Sequence, residues 1–207
     1  MSIVKLNNRG VRSATTFGSI TGLGSMVFIK KQTASSSSTI DFVDGTSDVV
    51  LDNTYKEYIF TWNNIHPATN NVGFQIGFRD GSTDYDATKT TTWFQASHNE
   101  ADNTTGVSYE ASQDIAQGTG FQNLVADLGS DNDQATSGYL HLFNPSGTVG
   151  VKHFIGRAQH MGYSSDPISH DNFCSGYFNT TSAIDEIQFK MTSGNIDAGD
   201  ICLYGIN

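Results

Sequence analysis

The chain is 207 residues long, 37% hydrophobic and only 15% charged, with 21 glycines, 3 prolines and 2 cysteines. Few helix formers beside many turn formers argue against a mixed α/β fold. Two cysteines are too few for a disulfide framework, and no apolar run approaches the ~20 residues of a membrane helix.

The net charge of −10 is unevenly spread. Residues 1–40 hold Lys5, Arg9, Arg12, Lys30 and Lys31 with no acid, while the remainder holds six cations against all 21 acids. Such asymmetry predicts a basic arm on an acidic body. Ser2 to Leu6 reads as a short strand, broken by Asn7-Asn8-Arg9-Gly10. Val11 to Gly24 fits no period and carries Phe17, Ile20 and Leu23 as apolar pegs on a polar, extended segment.

From Met26 the strand pattern becomes regular. Met26 begins a run expected to end at Lys30-Lys31, Thr39 to Val43 follows, and Val49 to Leu51 is short and apolar. Tyr55 to Ile65 sets Tyr58, Phe60 and Trp62 on one face, and Val72 to Arg79 does the same with Phe74, Ile76 and Phe78. Thr88 to Ala96 suits a β-branched, aromatic strand. Residues 98–136 are irregular and acidic; within them Phe121, Leu124, Val125 and Leu128 show the spacing of a helical turn or two. Strands return at Gly138–Phe143, Val149–Ala158 and Phe173–Phe178. The chain closes with a pair carrying Ile187, Phe189 and Met191, then Ile201 and Leu203. Turn signals between roughly eleven strands predict an all-β fold: a jelly-roll-like antiparallel β-sandwich over 25–207, with 98–136 as a large irregular loop and 1–24 as an extended docking arm.

Chemistry is sparse. None of the six histidines has a local metal-site spacing, although ligands on separate strands can converge, so no metal or cofactor is expected. No nucleophile motif appears, and the chain is not expected to be an enzyme. Asp80, Asp84 and Asp86, and Asp127, Asp131 and Asp133, share loops without the twelve-residue calcium pattern, and read as solvated acids. Cys174 and Cys202 read as small buried hydrophobes. Most aromatics alternate as core residues do; Tyr85, Tyr109 and Tyr163 fall in loop-like stretches and are the sugar-stacking candidates. Five cations make a thin patch for phosphates, so nucleic acid is not an expected partner. Without a signal-peptide core, synthesis and retention in a cytoplasm are expected unless the chain leaves inside a particle.

The phrases SIVKLNNRGVRSAT, VVLDNTYKEYIFTWNNIHP, GYLHLFNPSGTVGVKHF and FNTTSAIDEIQFKMTSGNIDAGDICLYGI span most of the chain. Together they resemble a group of small virion structural proteins of marine bacteriophages, some labelled tail-fibre-like. That resemblance implies a virion component assembled in the host cytoplasm, and it transfers no catalytic residue. The expected role is a capsid decoration or cement protein, homo-oligomeric, bound to the major capsid protein or another virion protein. Lys5, Arg9, Arg12 and Phe17 would make that contact. Two alternatives remain open: a tail-fibre or receptor-binding module that touches a host glycan, and a carbohydrate-binding module.

Overall fold

The computed structural model describes residues 25–164 and 167–207. The arm expected over 1–24, with Lys5, Arg9, Arg12, Phe17 and the short strand at its start, lies outside the described residues.

Twelve strands occur among the described residues: β1 (Met26–Ser37), β2 (Ile40–Val43), β3 (Glu57–Pro67), β4 (Val72–Arg79), β5 (Lys89–Asn99), β6 (Thr105–Tyr109), β7 (Gln122–Leu128), β8 (Thr136–Phe143), β9 (Lys152–Gly162), β10 (Ile168–Phe178), β11 (Glu186–Met191) and β12 (Ile196–Ile206). Every pairing is antiparallel. No helix of these residues is long and apolar enough to cross a membrane. Eight strands run in the order β6-β5-β10-β9-β8-β3-β12-β1, and four in the order β7-β4-β11-β2. One residue pair, Leu128 with Gly162, joins β7 to β9. The ladder therefore folds at that corner into two facing layers, a nearly closed jelly-roll-like sandwich. At the opposite side β1 meets β2, where the Gln32 side chain donates to the Asp41 carbonyl.

Period-two alternation decides which side chains enter the space between the layers. Tyr58, Phe60 and Trp62 of β3, Phe74, Ile76 and Phe78 of β4, and Ile187 and Phe189 of β11 are all within 1% of complete burial. Phe189 sits among rings from both layers, stacked on Phe74 at 5.6 Å and near Phe42, Phe60 and Trp62. Glycine opens the second face of β4: a Cβ on Gly77 would lie 2.4 Å from the Phe121 ring, which caps the small sheet with Lys190 Nζ 3.9 Å above it. Both cysteines are buried free thiols.

Four local expectations change. The run at Met26 does not stop at Lys30-Lys31. It continues to Ser37, because β1 is an edge strand where lysines keep their heads in water and Lys31 Nζ reaches Asp200 at 3.1 Å. The spacing of Phe121, Leu124, Val125 and Leu128 belongs to a strand. The register of β7 on β4 slips twice between Val72 and Gln75, and Asp127 takes a φ of 46°, so the buried positions change phase and imitate a helical stripe. Residues 98–136 contain β6 and β7 rather than a single loop, while Val49 and Leu51 are buried without forming a strand.

Candidate docking face

The large sheet turns one face to the core and the other to solvent, and the outer face carries large hydrophobics among its polar residues. Ten large hydrophobics are exposed among the described residues, and seven of them lie here: Met26, Phe28, Phe94, Val107, Tyr109, Tyr139 and Ile155. Single exposed hydrophobics are ordinary; a contiguous set on one rigid face marks an interaction surface.

Register builds the face. Tyr109 of β6 lies opposite Phe94 of β5, Phe94 opposite Phe173 of β10, Phe173 opposite Arg157 of β9, and Arg157 opposite Tyr139 of β8. With strands about 4.8 Å apart, this row crosses roughly 19 Å. Phe94 and Phe173 stack at 4.7 Å and 6°, and the Arg157 guanidinium lies 4.8 Å over Phe173. Asp171 accepts from Arg157 Nε at 2.9 Å, which fixes the fork flat on the sheet and raises the guanidinium's already high pKa. The adjoining row places Ile155, 52% exposed, opposite His141, then Ile59, Tyr204 and Phe28. Glu57 lies 2.9 Å from His141 Nε2. Aromatic rings around one orientated arginine are the composition of protein-interface centres.

No known protein family, curated protein or solved structure matches this chain.

The three tyrosines singled out from sequence fall on different parts of the fold. Tyr85 packs on Phe121 and commits its hydroxyl to Asp41 and Glu186; burial first, and then those two hydrogen bonds, raise its pKa. Tyr109 is 55% exposed at the β6 edge of the outer face, where its hydroxyl bonds Asp114. Tyr163 is exposed in the turn after β9. An open cleft beside the outer face is lined by His98, Asp102, Gln159, Met161 and Ile168, with His98 Nε2 3.0 Å from Asp102. Ser169, opposite His98 in register, also lines it.

Two groupings have no counterpart in the sequence reading. Phe94, Phe173, Arg157 and Tyr139 share a row only because β5 and β9 both pair with β10. Asp127, His160 and His170 come together at the β7–β9 corner. His160 and His170 are register partners of β9 and β10, so a hairpin reading of 152–178 places them on one face; Asp127 carries no such signal.

Proposed function

We propose that this chain is a structural protein of a bacteriophage virion, a decoration or cement subunit. In this reading residues 1–24 anchor it to the head shell, and the outer face of the large sheet lies against a neighbouring virion protein. The observation that carries the reading is the row Tyr109–Phe94–Phe173–Arg157–Tyr139, an aromatic surface around one fixed cation. The basic arm meeting an acidic partner surface supplies steering and register, and the sheet face supplies apolar contact.

Binding to parent particles stripped of the subunit tests this. Deleting residues 1–14 is expected to leave a folded body that no longer attaches, and salt above ~0.5 M is expected to weaken attachment, since the Debye length then falls to a few Å. Undiminished binding by the truncated chain would remove the arm from the proposal. Placing a charge at the centre of the outer face, with Ile155→Glu, is expected to reduce attachment at least ~10-fold at unchanged thermal stability, as truncation of an interface centre does.

A tail-fibre or glycan-binding role is the second reading, favoured by Tyr109 exposed beside the Phe94–Phe173 stack, where a sugar ring could lie. Copy number separates the two: a number that fits the capsid lattice favours decoration. A few copies at the tail, together with glycan binding lost in Tyr109→Ala, favours the other.

A further inference from the structure

Where the two layers join, Asp127, His160 and His170 place three ligand-type atoms within 4.8 Å of one another. His160 and His170 lie directly opposite across β9 and β10, so both imidazoles leave the same inner face, with ring centroids 5.1 Å apart. Asp127 arrives from β7. Its left-handed backbone and the Tyr163 N–H on its carbonyl, at 2.7 Å, hold it against the end of β9. Its Oδ2 lies 3.9 Å from His170 Nε2. Gly162 makes the space, since a Cβ there would lie 2.6 Å from the His170 ring.

The other ring nitrogens are tied into one chain of hydrogen bonds. His170 Nδ1 is 2.8 Å from Ser97 Oγ, Ser97 Oγ is 3.2 Å from the Gln95 amide, Gln95 is 2.9 Å from the Asn172 amide, and Asn172 is 3.1 Å from His160 Nδ1. Exchanging oxygen and nitrogen in the two amides moves no heavy atom. Asn172 Nδ2 faces His160 Nδ1 before that exchange; after it both Nδ1 atoms donate, to Ser97 Oγ and to Asn172 Oδ1, and both Nε2 atoms carry lone pairs. His160 Nε2 is buried and has no hydrogen-bond partner. A buried nitrogen without a hydrogen-bond partner is costly, and a cation shared with the second imidazole and the carboxylate would remove that cost.

We propose that Asp127, His160 and His170 bind one divalent transition-metal ion of the zinc or cobalt class, through both Nε2 atoms and the carboxylate. Two imidazoles and a carboxylate suit such ions, and the hydrogen-bonded chain through Ser97, Gln95 and Asn172 is the outer shell that orients imidazole ligands. Asp127 is half-exposed, so the ion has a path in and a fourth position for water. Its consequence is structural. The ion ties β7 to β9 and β10 where a single residue pair otherwise joins the layers. The site stands independently of the virion role.

Titrating tag-free, chelator-treated protein with Co²⁺ tests it. One equivalent is expected to bind with visible d–d absorption, and Zn²⁺ at about a hundred times its dissociation constant is expected to raise Tm by roughly 5–10 °C. Asp127→Asn, at a partly exposed position the fold tolerates, is expected to weaken binding at least ~10-fold, and His170→Gln to abolish the absorption. Absence of stoichiometric binding overturns the site. So does equal binding by the parent and Asp127→Asn, which would put the ion on other groups such as His98 and Asp102. If His170→Gln fails to fold, Asp127→Asn alone decides.

Discussion

Replacing Phe189 by alanine is expected to lower the free energy of unfolding by about 3–5 kcal/mol, the range for removing a buried aromatic ring. The upper part of that range applies when the surroundings cannot close over the gap. Phe189 is fully buried and touches four rings from three strands: Phe42 on β2, Phe60 and Trp62 on β3, and Phe74 on β4. Each of those rings hangs from a strand held in register by its neighbours, so collapse would require the layers to approach each other. Urea denaturation checks this through the midpoint at constant slope. A loss below ~1.5 kcal/mol, the cost of a volume-conserving swap, would mean the centre of the sandwich is not packed as described.

The second large effect is electrostatic. Lys89 is fully buried at the start of β5, with Nζ donating to the Ala87 carbonyl at 2.9 Å. Burial depresses its pKa to about 8 from 10.5, although Asp86 and Asp80 pull it upward. The sign follows from proton counts. Between pH 8 and 10.5 the unfolded chain holds the lysine proton and the folded chain has released it, so stability rises with pH across that window. At pH 7 both states are charged and the burial cost is fully present. The gap of roughly 2.5 pH units corresponds to about 3 kcal/mol. Lys89→Met is therefore expected to compare with the parent about 2–3 kcal/mol more favourably at pH 7 than at pH 10.5. Tyr58 and Tyr85, whose pKa values burial raises, destabilise both proteins alike once unfolded tyrosines ionise near pH 10, so the difference isolates Lys89. A difference that does not change with pH would show that the ammonium group is solvated. The same geometry gives the acidic hairpin a role: Asp80 and Asp86 face Lys89, and Asp80 also faces Lys152, itself buried with Nζ donating to the Thr180 carbonyl.

Much of the fold was legible from residue order. Alternation along Tyr58–Phe60–Trp62, Phe74–Ile76–Phe78 and Ile187–Phe189–Met191 needs only the period of an extended chain to assign an inner face, and all nine side chains are buried. Misreadings arose where a local rule met a non-local constraint. A lysine pair ends a strand only if the strand is not at an edge, and a helical spacing on 121–128 disappears once a register slip on β4 changes the phase of burial. Neither fact is present in the segment itself.

The sites were less legible, for the same reason. Chemistry and period by themselves determined that this chain is a β-sandwich, which residues fill it, and that 1–24 carries cations and no acid. Only the tertiary structure decided that β10 lies between β5 and β9, which gathers Phe94, Phe173 and Arg157 into one outer row. It likewise decided that β7 meets β9 at Leu128 and Gly162, which brings Asp127 to His160 and His170. Side-chain alternation is a property of neighbouring residues, whereas strand order is set by contacts between residues far apart in the chain, and no window of sequence contains those.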